Sequence, residues 1–174
     1  MVDRISIVGG PGTGKTTLGN ILSKIFEIPV LHIDGLFYEA NWVESDKNVR
    51  DKKILEFANK EKWIIDGNYS STLKQRIDKA DLIIFLDYSN VARMKGILQR
   101  YMKYRGRERE EIPGCNERLD YTFLKYTWNF NKNKRSNLVS IINSTDQSKI
   151  LTFKNRNKLN KWLKKVEKTK SVQL

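Results

Sequence analysis

The sequence predicts an α/β fold, a five-stranded parallel sheet with helices on both faces. Three observations carry this. Five short runs are apolar at nearly every position: Ile5-Ser6-Ile7-Val8, Val30-Leu31-His32-Ile33, Trp63-Ile64-Ile65, Leu82-Ile83-Ile84-Phe85-Leu86 and Ile150-Leu151-Thr152-Phe153. Segments of helical spacing separate them, and strands apolar on both sides need cover on both. The first run leads directly into Gly9-Gly10-Pro11-Gly12-Thr13-Gly14-Lys15-Thr16-Thr17, which matches the phosphate-loop pattern G-x-x-x-x-G-K-[ST] from Gly9 to Thr16.

Each element follows from its residues. After the loop, Leu18, Ile21, Leu22, Ile25 and Phe26 share one helical face. The second strand, Val30 to Ile33, ends in Asp34-Gly35. A helix is expected from Asn48 to Lys60, with Val49, Ile54, Phe57 and Ala58 as core positions. Trp63-Ile64-Ile65 is closed by Asp66-Gly67-Asn68. Ser70 to Lys79 suits a helix that Ser70 or Ser71 would cap. The fourth strand ends at Asp87, and Val91 to Tyr104 reads as a long helix. Arg105 to Glu117 is polar, contains glycine and is interrupted by Pro113, which predicts a loop or mobile flap. Helices are expected over Arg118 to Phe130, Arg135 to Asn143 and Arg156 to Val166. The last buries Leu159, Trp162, Leu163 and Val166. The reading is one domain over residues 1–168, with a flexible tail at 169–174.

Composition narrows the class. A chain of 174 residues with 39% hydrophobic content can bury a core. No apolar run reaches the roughly 18 residues of a membrane span. The lone Cys115 excludes an internal disulfide framework, and a cytoplasmic protein is expected. Charge is uneven: 12 Lys/Arg face 13 Asp/Glu in residues 1–89, and 21 face 7 in residues 90–174. That asymmetry suits a polyanion partner or a phosphate-rich site.

The motifs specify phosphate chemistry. Glycines let backbone N–H groups turn inward as an anion nest, to which the helix N-terminus adds its unpaired donors. Gly10, Pro11, Gly12, Thr13, Gly14, Lys15, Thr16 and Thr17 are therefore the expected nucleotide-binding residues, with Lys15 reaching the β- and γ-phosphates and Thr16 holding Mg²⁺. Thr13 and Thr17 also fit local capping. Asp34, Asp66 and Asp87 stand at strand ends, where ligands of parallel sheets bind. On pattern alone Asp87 looks most like a Walker-B residue. Arg93, Arg100, Arg105, Arg107 and Arg109 are the candidate clamp, since a planar guanidinium binds phosphate oxygens in pairs. His32 is expected to be structural. The stretch Tyr121 to Trp128 reads first as a core stripe and second as a base-stacking surface.

Gly9 to Thr17, Leu31-His32-Ile33-Asp34, Trp63-Ile64-Ile65-Asp66-Gly67-Asn68-Tyr69, Tyr104-Arg105-Gly106-Arg107, Gly114-Cys115 and Glu117-Arg118-Leu119-Asp120 together resemble the bacterial DNA topology modulation proteins, within the adenylate-kinase-like P-loop kinases. The resemblance implies a P-loop NTPase three-layer α/β/α fold, strand order 2-3-1-4-5, with an arginine-bearing lid at about 105–117. It implies ATP and Mg²⁺ as cofactors and a small-molecule acceptor. Asp66 then resembles the aspartate that holds magnesium through water, and Asp34 the one facing the acceptor. Asp66 is thus preferred to Asp87. The adenine would lie near the loop Lys154 to Asn157, placing Asn155 among the nucleotide contacts. Where adenylate kinases carry Phe-Pro-Arg this chain has Asn68-Tyr69-Ser70, which argues against an AMP acceptor. Lys15, Asp34, Arg100, Arg105 and Arg107 are the expected catalytic set. The alternative reading is a nucleotide-gated DNA-binding protein.

Overall fold

A computed structural model describes residues 2–172. The chain runs β1 (Arg4–Gly9), α1 (Lys15–Phe26), β2 (Val30–His32), α2 (Ile33–Phe37), β3 (Tyr38–Glu39), a 3₁₀ turn at Ala40–Trp42, β4 (Val43–Glu44), α3 (Lys47–Ala58), β5 (Trp63–Asp66) and α4 (Ser70–Lys79). It continues through β6 (Leu82–Leu86), α5 (Asn90–Tyr104), β7 (Glu108–Arg109), β8 (Ile112–Asn116), α6 (Tyr121–Phe130), a π-helical turn at Asn131–Arg135, α7 (Ser136–Asn143), β9 (Ile150–Phe153) and α8 (Arg156–Thr169). The main sheet has the order β2-β5-β1-β6-β9, and every pairing in it is parallel. Counted along the chain, its strands stand 2-3-1-4-5, as expected.

Alternation explains the layers. Ile5 and Ile7 point to one side of β1, with Leu18 and Leu22 of α1 and Leu159, Leu163 and Val166 of α8. Val8 points to the other, with Ile54 of α3, Leu73 and Ile77 of α4, and Phe130, Leu138 and Ile142. The central strands β1, β5 and β6 thus bury both faces, and each fully buried Ile or Leu contributes on the order of 1.5–3 kcal/mol. Among the described residues, no helix is long and apolar enough to cross a membrane.

Several local expectations are corrected. Asp34 is not a strand terminus. It lies in the first turn of α2, where the helix dipole favours a carboxylate. No side chain caps α4, whose N-cap is Tyr69, and Ser71 Oγ instead donates to Asp51 Oδ2. Val49 is 51% exposed, because the inner side of α3 is set by Arg50, Ile54 and Ala58. The segment 105–117 is not a plain loop: β7 and β8 form a short antiparallel hairpin within it. On α6 the inward positions are Thr127 and Phe130, while Tyr121 is 78% and Trp128 53% exposed. The aromatic stretch is therefore not wholly core. Helix α8 continues to Thr169, and residues 173–174 of the expected tail lie outside the described residues.

Candidate functional site

The phosphate loop joins β1 to α1, and its backbone conforms to its glycines. Gly12 and Gly14 take φ of 75° and 90°, values costly for a side chain. Gly14 is the N-cap of α1, and no side chain caps that helix. Its first-turn donors face the loop, the arrangement that receives phosphate oxygens. Thr13 is buried and its hydroxyl donates to Gly10 O at 2.8 Å, so it braces the loop from within. Thr16 and Thr17 follow on α1, Thr16 half-buried and Thr17 exposed.

Helix α5 supports the loop from behind. A Cβ on Gly96 would stand 2.0 Å from Gly12 O, and one on Gly12 would stand 2.3 Å from Arg93 O. Only glycine at both places permits this approach. The Arg93 guanidinium lies against Gly10, 4.8 Å from the Phe130 ring centroid, and bonds Asn90.

Lys15 folds back over the loop, its Nζ donating to Gly9 O at 3.0 Å and Gly10 O at 3.1 Å. Burial lowers its pKa from the ordinary lysine value. The carboxylates of Asp34 and Asp66 oppose that shift, and Arg100 and Arg93 add to it. The charges bearing on this ammonium thus come from α2, β5 and α5 together.

Asp66 ends β5 and is almost fully buried. Its Oδ2 pairs with His32 Nδ1, and His32 Nε2 faces Asn20 Oδ1 at 2.9 Å. Two oxygen acceptors suit an imidazolium. Burial alone would lower the His32 pKa, but the hydrogen bond and charge of Asp66, with Glu111 and Asp34 beyond, raise it overall. Burial raises the Asp66 carboxyl, against the opposing pull of His32 and Lys15. Gly19 makes room for this pair, since a Cβ there would stand 3.3 Å from Asp66 Oδ2.

Asp87 is committed elsewhere, in a two-point ion pair with Arg135. Arg100 Nε donates to Glu117 Oε1 at 2.9 Å and its Cζ stands 5.5 Å from the Phe123 ring centroid. Arg105 and Arg107 are exposed, and Arg105 lies 6.0 Å from the Tyr101 ring centroid. The structure therefore gathers Lys15, Asp34, Asp66, Arg93 and Arg100, and leaves Arg105 and Arg107 toward solvent. Asn155 Oδ1 accepts from Lys158 N at 2.9 Å as the cap of α8. Its neighbour Arg156 is the residue of that loop that approaches Gly14, within 3.8 Å of a built Cβ.

The hairpin packs on the segment after Asp34. A Cβ on Gly35 would stand 2.2 Å from Glu111 O, and one on Gly114 2.8 Å from Ala40 Cβ. Trp42 N donates to Cys115 Sγ at 3.3 Å, and the thiol faces Glu39 O at 3.2 Å. Beside α2 lies a cavity of about 180 Å³ lined by Gly35, Tyr38, Ser45, Val49, Arg50 and Lys53. Arg50 is buried there, 4.1 Å from the Phe37 ring centroid and 4.8 Å from that of Tyr69.

Sequence reasoning missed Arg50, Arg156 and the anchoring of the loop by Asn68, whose Oδ1 accepts from Gly9 N at 2.9 Å and whose Nδ2 donates to Gly9 O at 2.7 Å. The block Asp66-Gly67-Asn68 was visible, but nothing local says that Asn68 reaches a residue 59 positions away.

A phosphate loop between the first strand and its helix, on a parallel sheet of this order, defines a P-loop NTPase fold of three α/β/α layers. Comparison with known proteins agrees. The model of the ATPase family associated with various cellular activities matches residues 5–88, from β1 to just beyond β6. GTPase Der of Flavobacterium johnsoniae is 28% identical over 85 residues, which are 47% of this chain but only 20% of that protein. Among solved structures, shikimate kinase from Acinetobacter baumannii in complex with shikimate aligns over 99% of this chain and 97% of its own, at 14% identity and a TM-score of 0.62. Shikimate kinase from Bacteroides thetaiotaomicron aligns over 99% and 100%, at 16% identity and a TM-score of 0.56. At such identities these two likenesses establish the fold.

Proposed function

We propose that this protein is a kinase that passes the γ-phosphoryl group of ATP to a small acceptor, a nucleoside, nucleotide or metabolite of similar size. One observation carries the reading: Lys15 folds over the phosphate loop, its Nζ on Gly9 O at 3.0 Å and Gly10 O at 3.1 Å, at the uncapped start of α1 and within the field of Asp34, Asp66, Arg100 and Arg93. Phosphoryl transfer needs a cradle for the donor, cations for the charge of the transferred group and a carboxylate for the acceptor hydroxyl, and all three converge here.

The residues present fit a magnesium nucleotide. The left-handed glycines and the uncapped start of α1 suit the phosphates, with Gly10 to Thr17 around them and Lys15 leaving the Gly9 and Gly10 carbonyls for a phosphate oxygen. Thr16 would hold Mg²⁺ directly and Asp66 through water, and the ion would supply charge neutralisation for the phosphates. Asp34, exposed in the first turn of α2, orients the acceptor hydroxyl and takes its proton. Arg100 stabilises the equatorial oxygens. Arg105 and Arg107 reach the site only if the hairpin region 105–117 shifts as a lid, within one domain spanning 1–168. The loop of Asn155 and Arg156 would flank the adenine. The acceptor side is the α2 surface, and the shikimate-bound neighbour of the same fold accords with a small hydroxylated acceptor.

Lys15→Ala tests the reading. Turnover of ATP with a panel of acceptors should disappear while circular dichroism and the melting temperature stay close to wild type. A folded variant that retains turnover refutes it.

A further inference from the structure

Strands β1 and β5 pair in parallel from Arg4↔Trp63 to Ile7↔Asp66. One more backbone bond, Gly67 N to Ile7 O at 3.1 Å, closes the ladder. The chain then turns at Gly67, whose φ is 129° and where a Cβ would stand 2.9 Å from Ile33 Cβ. Gly9, two residues on in β1, would be left without a partner on this side. The Asn68 side chain takes that place, accepting from Gly9 N and donating to Gly9 O. A primary amide offers the same donor and acceptor as a peptide group, so this side chain supplies the rung that the strand does not.

We infer that Asn68 positions the phosphate loop through Gly9, and that nucleotide affinity depends on both the donor and the acceptor of its amide. On the opposite side Gly9 is pressed against β6, where a Cβ would stand 2.5 Å from Leu86 O. Its peptide is thus held between Leu86 and Asn68. Gly9 O also receives Lys15 Nζ at 3.0 Å, and a carbonyl has lone pairs for both donors. When the ammonium turns to a phosphate oxygen, Asn68 keeps the peptide in place. Asn68 is itself fixed by the fully buried Arg76, whose guanidinium donates to Gly67 O at 3.2 Å and to Tyr69 O at 3.1 Å, bracketing it on both sides. Asn68 therefore acts through Gly9 and is a positioning residue. The inference rests on the proposed function only in taking the ligand of the loop to be a nucleoside triphosphate.

The test uses the full chain, calorimetry with Mg²⁺ and the ATP analogue AMP-PNP, and the exchange rate of the Gly9 amide by NMR. Asn68→Ala should expose the Gly9 amide to exchange and weaken binding by about tenfold, as expected for a lost pair of partly buried hydrogen bonds. Asn68→Asp keeps the shape and the acceptor, so the amide should stay protected. Its binding should still weaken, because an oxygen then faces the Gly9 carbonyl. If Asn68→Ala fails to fold, the isosteric Asn68→Asp decides by the same two readouts. Wild-type affinity in a folded variant overturns the inference. Absence of heat with the wild-type protein instead overturns the nucleotide reading beneath it.

Discussion

Arg135 holds both carboxylate oxygens of Asp87, with Nε on Oδ1 at 2.7 Å and Nη2 on Oδ2 at 2.8 Å. The aspartate that sequence pattern most readily offers to a metal is thus spent on an ion pair that ties the end of β6 to the π-helical turn after α6. Asp87→Asn should cost about 1–2 kcal/mol of stability, the range of a partly exposed charged hydrogen-bond pair, and leave turnover within about twofold, less than the effect of losing a group that meets the transition state. Asp66→Asn should lower turnover by about 100-fold or more. Melting curves and ATP turnover of the two variants separate the roles, and the reverse ranking would reassign the metal to Asp87.

Helix α5 presses so closely on the phosphate loop that a methyl group on Gly96 would meet Gly12 O and one on Gly12 would meet Arg93 O. Gly96→Ala should push α5 from the phosphate loop, at a stability cost of about 1–3 kcal/mol for an overpacked contact. Nucleotide affinity should fall by tenfold or more on the order expected when a binding loop is displaced. Calorimetry with a magnesium nucleotide checks this, and unchanged affinity would show that α5 does not shape the loop.

The start of β1 is pinned by Asp81, which accepts from Arg4 N at 2.9 Å, Asp3 N at 3.2 Å and Arg4 Nη2 at 3.0 Å. Partial burial opposes ionisation of Asp81, but the side-chain and backbone bonds from Arg4 and Asp3 outweigh it and lower its pKa below the ordinary 3.8. A depressed carboxylate contributes stability above its unfolded pKa and loses it as pH falls through the folded value. Asp81→Asn should therefore be less stable than wild type at neutral pH, and the gap should close only below about pH 3.8. Urea unfolding from pH 7 to pH 2.5 measures it. A gap independent of pH would mean that charge is not the source.

Cys115 is 1% exposed, sealed between the hairpin and the Glu39–Trp42 turn. Gly35→Ala would drive a methyl group toward Glu111 O, 2.2 Å away. It should separate the hairpin from α2 and speed thiol labelling by an aromatic disulfide reagent by tenfold or more on the order of a local opening weakened by one buried contact. Equal labelling rates would mean that the hairpin is held by contacts elsewhere.

The sheet was legible because its strands are short apolar runs rich in β-branched residues, separated by segments of helical spacing. The phosphate loop was legible because its requirements are local: glycines, a lysine and a hydroxyl at fixed spacing. What stayed hidden depends on distant partners. Strand pattern alone offers Asp87 and the resemblance offers Asp66, but neither says that His32 pairs with Asp66 and Arg135 with Asp87, 34 and 48 residues away. Asn68 reads as a turn residue until Gly9 is seen beside it. Gly35 hid the short helix at Asp34, because glycine there reads as a breaker, whereas it serves the close approach of Glu111. The hairpin was missed because β7 has two residues and β8 contains Pro113.

Product analysis tests the central claim most directly. The protein is incubated with Mg²⁺-ATP and a panel of hydroxylated acceptors, and phosphorus NMR follows the γ-phosphorus. A new phosphomonoester resonance, rising in step with ADP and absent with Lys15→Ala, is the predicted result. ATP left intact with every acceptor, or converted only to ADP and inorganic phosphate, would contradict the account.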